Sequence, residues 1–299
     1  MRVAITGSTG LIGTALTASL TADGHEVVRL VRRAPRARDE IRWDPGAGRV
    51  DAGGLAGCGA VVHLAGAPIG ARRWTAAYKK ELRDSRVLGT GALARTVAAL
   101  DPPPRVLVSG SGVGYYGDTG DRPADEGSPA GQGFLPGLCQ EWEAAAEPAA
   151  RAGVRTVLAR TGLVVAHHGG AFGRLLTLFS LGLGGRLGDG GQYWSFIGLR
   201  DMVAALRWAV DAERLSGPVN FTAPHPLTNR EATKVLGQVL KRPTPLPVPA
   251  PVLRLVLGEM ATSVLTSQRV LPRQLLDSGF EFTCPYFDSA VRAALSDTR

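Results

Sequence analysis

A chain of 299 residues with 44% apolar side chains can bury the core of one large α/β domain, or of a nucleotide-binding domain carrying a smaller lobe, and is too apolar to be disordered. Its formal net charge of +8 comes from scattered arginines, with lysine only at Lys79, Lys80, Lys234 and Lys241, so no nucleic-acid surface is expected. Cys58, Cys139 and Cys284 are too few and too far apart for a disulfide framework or a metal pair, no leader-like segment precedes the first strand, and no apolar run approaches the roughly 20 residues that span a bilayer. The expectations are a cytoplasmic location, no membrane partner and no metal.

Residues 3–6 are a short apolar run, the mark of a buried parallel strand. Residues 11–22 read as a helix that Gly24 ends, and 26–31 as a second strand. Residues 33–59, rich in Gly, Pro and charge, read mostly as loop, with a short strand near 41–43. A buried strand follows at 60–64, then a long helical pattern over 75–100 that Pro102-Pro103-Pro104 stops. Strand 105–109, helix 138–151 and strand 155–160 complete an alternation that predicts a doubly wound, Rossmann-type parallel sheet. After about residue 165 the rhythm changes. Glycines crowd 182–191, prolines crowd 243–251, and helical patterns recur at 200–211, 229–240 and 251–260. The expected division is a nucleotide-binding domain over 1–165 and a smaller mixed, mainly helical lobe over 166–299 that binds substrate.

Thr6-Gly7-Ser8-Thr9-Gly10-Leu11-Ile12-Gly13 lies between the first strand and the first helix, the context that turns a glycine pattern into a dinucleotide fingerprint. Gly7 suits the tight turn, Gly10 lets the backbone approach a pyrophosphate, and Gly13 allows the helix to pack on the strand. The helix start then offers N–H groups and a positive dipole end to the phosphates. Where NAD-selective folds carry an acid about 20 residues beyond the loop, this chain reads Leu30-Val31-Arg32-Arg33, and no acid appears until Asp39. Guanidinium groups suit a 2′-phosphate, so NADP(H) is expected over NAD(H); the alternative is a solvated arginine pair at a strand end. His63-Leu64-Ala65-Gly66 closes a strand with small residues at the carboxyl edge, where they leave room for the cofactor.

Together with Ser85-Arg86-Val87-Leu88-Gly89-Thr90, these stretches resemble the extended short-chain dehydrogenase/reductases. More narrowly the chain is similar to epimerase-family proteins described as nucleoside-diphosphate-sugar epimerase-like, which carry a family-specific C-terminal region, here about 247–296. That resemblance is carried by Arg73-Trp74, Ser109-Gly110-Ser111, Gly114-Tyr115-Tyr116-Gly117, Trp142-Glu143, Gly217-Pro218-Val219-Asn220 and Ser267-Gln268-Arg269-Val270-Leu271-Pro272, and it spans essentially the whole chain. It implies an NADP(H) site lined by the glycine loop, Arg32, Leu64, Ala65, Glu81, Arg86 and Val164. Arg33, Gly66 and Ser109 are counted with that site. Glu81 or Arg83 is expected on one helix face with Arg86. A homodimer built through the helix of 75–100 is a further implication.

Standard members of the superfamily pair Tyr with Lys four residues on, the ammonium lowering the phenol's pKa so that it exchanges a proton with substrate. No tyrosine of this chain has a lysine four residues later, and the resemblance puts Leu135 and Cys139 in the two places. The remaining candidates for catalysis are the hydroxyls of Ser111, Tyr116 and Tyr115 after the strand of 105–109, although Tyr-Tyr-Gly equally suits packing at a turn. A histidine that relatives carry late in the chain is Gly198 here, and Asp201 is expected to cap or pair at the next helix. Two functions follow: an NADP(H)-dependent oxidoreductase or epimerase acting on an unknown small hydroxy or carbonyl compound, or a non-catalytic NADP(H)-binding protein that regulates partners, relatives having been linked to cell division. A hydrolase using Ser111 is a distant third, because Ser109-Gly110-Ser111-Gly112 lacks the G-x-S-x-G elbow.

Overall fold

Eight strands form one sheet in the computed structural model, which describes residues 1–296; the last three residues of the expected C-terminal lobe lie outside the described residues. In chain order the elements of the first half are β1 (Arg2–Thr6), α1 (Leu11–Ala22), β2 (Glu26–Val31), β3 (Glu40–Asp44), β4 (Arg49–Val50), α2 (Ala52–Leu55), β5 (Ala60–His63), α3 (Ala76–Ala98), β6 (Val106–Gly112), α4 (Phe134–Ala144), α5 (Glu147–Arg151) and β7 (Arg155–Thr161). The second half adds β8 (Leu163–Val165), α6 (Gly170–Ser180), β9 (Tyr193–Trp194), β10 (Phe196–Gly198), α7 (Leu199–Asp211), β11 (Gly217–Phe221), β12 (Leu227–Thr228), α8 (Asn229–Leu240), α9 (Ala250–Leu257), α10 (Ala261–Leu265), α11 (Arg273–Asp277) and α12 (Phe287–Ser296).

The sheet runs β11-β7-β6-β5-β1-β2-β3-β4, every neighbouring pair parallel except β3 with β4. Strand order reverses between β1 and β5, and in open α/β sheets ligands bind outside the carboxyl ends at such a switch point. The period-two alternation of the strands divides the core. Val3 and Ile5 join Leu16, Leu20, Met202 and Leu206 on the face covered by α1 and α7, while Ala4 joins Leu93, Val97 and Leu107 under α3. Both faces are covered, which explains why these strands read as unbroken apolar runs.

Three expectations change. The division at residue 165 does not follow the sheet, because α7 covers it and β11 pairs with β7 through Val219↔Ala159; five residues reading Gly-Pro-Val-Asn-Phe carry too little periodicity to be found in sequence. The short strand expected near 41–43 is β3, with Ile41 and Trp43 packed into the second core, but the stretch read as loop also holds β4 and α2. The single helix expected over 138–151 starts at Phe134 and is interrupted before α5, which carries a proline in its first turn. Beyond β7 a separate core of Phe172, Phe179, Phe196 and Phe287 holds α6, α8 and α12 to β8 and β10. No helix of the described residues is long and apolar enough to cross a membrane.

Candidate functional site

At the switch point Gly7 has φ +68°, and a Cβ there would stand 2.8 Å from the Leu64 carbonyl carbon and 2.9 Å from the Ala65 nitrogen. Only glycine lets the first turn lie against the end of β5. A Cβ on Gly13 would be 2.2 Å from the Gly7 oxygen, so α1 likewise touches the loop through bare backbone. No side chain caps α1 at Gly10, which leaves its first N–H groups facing the crevice. The Thr6 hydroxyl ties the two strand ends together: it accepts from the Leu64 and Ala65 N–H groups at 3.1 and 3.2 Å and meets His63 Nδ1 at 2.7 Å. His63 is fully buried, and burial first, then the charge of Arg86, lowers its pKa to about 4, so the imidazole stays neutral and accepts the threonine proton. Leu64, Ile12 and Val164 remain partly exposed at the edge of the first core, and Ala65 at the edge of the second.

The two arginines after β2 part company. Arg33 closes a two-pronged fork on Glu40, Nη1 to Oε2 at 2.7 Å and Nη2 to Oε1 at 2.6 Å, while Arg29 reaches the same carboxylate at 3.3 Å. The Arg33 bonds and the Arg36 N–H hold the Glu40 carboxyl down at about 2. Arg33, expected beside Arg32 at a phosphate, is thus engaged in holding β3. Arg32 is exposed and has no hydrogen-bond or ion-pair partner among the described residues.

At the end of β6, Leu135, Cys139 and Glu143 form an i, i+4, i+8 stripe on α4. Leu135 would crowd a Cβ on Gly114 at 3.2 Å, the Cys139 thiol lies 3.6 Å from the Gly112 carbonyl, and Glu143 accepts the Ser111 hydroxyl at 2.6 Å. Burial pushes the Cys139 thiol up to about 11. Glu143 is also gripped by Arg160, Nε to Oε1 and Nη2 to Oε2 both at 2.8 Å. Arg160 continues the chain: its Nη1 donates to the Tyr116 hydroxyl at 2.9 Å, Tyr116 donates to Asn220 Oδ1 at 2.7 Å, and Asn220 donates to the Leu271 carbonyl at 2.9 Å. Burial raises Tyr116 to about 12, against the opposing pull of Arg160. Both ends of that hydroxyl are committed to structure, so Tyr116 does not fit the acid role expected of it. Tyr115 stacks its ring on the Arg160 guanidinium, 3.4 Å from Cζ to the ring centroid, and its hydroxyl has no partner among the described residues. Ser109, fully buried, makes only a long contact to the neighbouring Gly110 carbonyl at 3.5 Å.

Arg86 is buried with no carboxylate against it. Nη1 donates to the Leu82 carbonyl at 3.1 Å, Nε has no partner, and the guanidinium stands over Trp142 at 4.9 Å and beside Gly66. Its helix-mates do not join it: Glu81 is exposed and Arg83 pairs with Glu141. Asp201 accepts from the Thr283 and Cys284 backbone N–H groups, both at 2.9 Å, pinning the segment before α12 rather than capping α7. The sequence reading missed the Glu143–Arg160 pair and His63 as a strand tie. Glu143 had a signal, lying four residues beyond Cys139 on the same helix face, but nothing in sequence pointed to Arg160.

Residues 3–221 match the model of the NAD dependent epimerase/dehydratase family, and residues 248–294 match a domain of unknown function, DUF1731. An epimerase family protein of Mycobacterium bovis is 49% identical over 281 residues, covering 94% of this chain and 93% of that one. The crystal structure of human epimerase family protein SDR39U1 with NADPH is 36% identical with a TM-score of 0.90, covering 99% of this chain and 100% of that one. The structure of the nucleoside-diphosphate sugar epimerase from Corynebacterium glutamicum is also 36% identical, with a TM-score of 0.83, over 99% of this chain and 58% of that one.

Proposed function

Because the chain belongs to the NAD dependent epimerase/dehydratase family, we propose that it holds NADP(H) in the crevice between β1 and β5 and acts as an oxidoreductase or epimerase-like enzyme on a small carbonyl or hydroxy compound. The observation that carries the cofactor choice is the arginine pair: Arg33 is engaged by Glu40, and Arg32 stands free at the end of β2, where a 2′-phosphate needs a guanidinium. The NADPH in the human relative's structure supports the same reading. The uncapped start of α1 would take the pyrophosphate, and Leu64, Ala65 and Val164 would line the crevice beyond it. Arg86, buried without an acid, supplies a fixed positive charge behind Gly66.

When bound, the dinucleotide supplies hydride chemistry at its nicotinamide. The chain's own part is to orient a substrate oxygen and to deal with its proton. Ser111 donates its hydrogen bond to Glu143 and keeps lone pairs with which to accept a hydrogen bond from a substrate hydroxyl. Leu135 and Cys139 cannot replace the usual pair: one has no proton, and the other is a neutral thiol. That stripe favours the second reading, a non-catalytic NADP(H)-binding protein.

Calorimetric titration with NADPH and NADH, on the protein and on Arg32→Ala, tests the cofactor assignment. NADPH should bind more tightly than NADH, and the substitution should erase the difference; equal affinities in the unaltered protein would end it. Substrate-dependent NADPH consumption that falls in Ser111→Ala decides for the enzyme over the binding protein.

A further inference from the structure

Eleven large apolar side chains are exposed among the described residues, and seven of them gather on α6, on α9 and on the chain that adjoins the two. On α6, Arg174, Leu178 and Leu181 follow at i, i+4 and i+7 and face solvent, while Phe172, Leu176 and Phe179 are buried. On α9, Val252, Leu255 and Val256 make a like outward stripe, and Leu253 is buried. Both helices are thus apolar on the outer as well as the inner face, which water alone does not favour.

Backbone contacts tie these stripes into one surface. The Leu183 N–H turns back to the Leu178 carbonyl at 3.0 Å, which sets Leu183 beside the end of α6. The strap of residues 242–248 crosses just beyond: Arg242 Nε donates to the Ser180 carbonyl at 3.0 Å, the Val248 N–H donates to the Arg186 carbonyl at 2.8 Å, and the exposed Leu246 lies between the two ties. At the other side the loop ahead of α3 joins the helices, with Arg174 donating to the Gly70 carbonyl at 2.7 Å and Arg73 donating to the Val256 and Leu255 carbonyls. Gly70 and Arg73 are three residues apart, so their α-carbons stand at most about 11 Å from each other.

The charge about this surface has one sign. From Gly170 to Gly188 and from Ala232 to Gly258 the sequence has no Asp or Glu, but it has Arg174, Arg186, Lys234, Lys241, Arg242 and Arg254. Arg186, Arg230, Lys234 and Arg242 line a cleft of about 670 Å³ along the strap. The acid that follows α9, Glu259, is taken by Lys79 at 2.8 Å.

We propose that this face lies on an anionic lipid bilayer, its leucines and valines in the acyl boundary and its cations among the headgroups. A protein partner fits less well, because the cores of protein interfaces are enriched in Tyr, Trp, Phe and Met, and all seven residues here are Leu or Val. Lying on a bilayer requires no spanning helix, so the expectation of no membrane partner, drawn from the lack of a spanning run, gives way to this assignment.

Co-sedimentation with vesicles tests it, using phosphatidylcholine alone and phosphatidylcholine with about one-third phosphatidylglycerol, in about 0.1 M salt. The expected result is binding to the mixed vesicles, at least about tenfold weaker binding to phosphatidylcholine, and release as salt rises to about 0.5 M. The double substitution Leu181→Ser and Leu255→Ser, both at exposed positions, should weaken binding at least about tenfold, and Arg254→Gln about fivefold, with NADPH affinity unchanged. Leu276→Ser, exposed on α11 and outside this face, should change nothing. Equal binding to both kinds of vesicle, binding to neither, or serine variants that bind like the parent overturns the assignment. A dimer in sedimentation velocity that the same serine substitutions break also overturns it and gives the face to a second copy of the chain. Bilayer binding does not depend on the dinucleotide, so either proposal can fail alone.

Discussion

Replacing Glu143 by leucine removes the carboxylate that neutralises Arg160 inside the protein. The Arg160 and Glu143 side chains are 4% and 10% exposed, joined by two parallel bonds of 2.8 Å, and Ser111 donates to the same carboxylate. After the substitution the guanidinium keeps only the neutral Tyr116 oxygen and the Tyr115 ring. Leaving one member of a buried pair unpaired costs roughly 3–5 kcal/mol. With a urea slope near 3 kcal/mol/M for a chain of this size, the unfolding midpoint should fall by about 1–1.7 M. Arg160→Met should do similar damage by stranding Glu143. The double substitution strands no charge and should cost only about 1–2 kcal/mol, so the coupling in the double-mutant cycle should exceed about 2 kcal/mol. The assay is urea unfolding of the four proteins followed by fluorescence and circular dichroism. A single-variant cost below about 1 kcal/mol, or additive costs, would refute the claim that this pair carries a buried, mutually dependent charge.

Arg32→Ala should weaken NADPH by about 10- to 100-fold and leave NADH nearly unchanged, whereas Arg33→Ala should move either affinity by less than about threefold, as read by calorimetry. Because Glu40 is held at about 2 by Arg33, its stabilising effect is complete above the ordinary carboxylate range and is lost as pH falls toward 2; Arg33→Ala should flatten that part of the acid limb of the stability curve. His63 acts higher: its folded pKa is lowered to about 4, so the unfolded chain takes up the proton first and stability should fall as pH drops from about 6.5 toward 4, by at most about 3 kcal/mol. His63→Leu should lack that slope in urea midpoints measured between neutral pH and the start of acid unfolding. Gly13→Ala puts a Cβ 2.2 Å from the Gly7 oxygen and should either displace α1, seen as a large loss of thermal stability, or abolish NADPH binding; an unchanged melting temperature with unchanged affinity would contradict the close packing described.

Local chemistry was legible in the order of residues. The runs 3–6 and 60–64 announced parallel strands because a strand covered on both faces needs apolar side chains at nearly every position. Gly10 and Gly13 announced the turn because each missing side chain answers a contact with Gly7 a few residues back, and the lack of a Tyr–Lys pair could be read by counting four residues along a helix. Tertiary structure decided what depended on partners far away in the chain. Arg32 and Arg33 are neighbours of the same type, and only the return of β3 with Glu40 separates the free guanidinium from the engaged one. Tyr116 looked like a free phenol until Arg160 and Asn220, 44 and 104 residues further on, closed around its oxygen. Arg160 itself reads as a strand residue like any other; its charge acquires meaning from Glu143 on another element, because a buried ion is tolerated only where the fold brings its counter-ion within bonding distance.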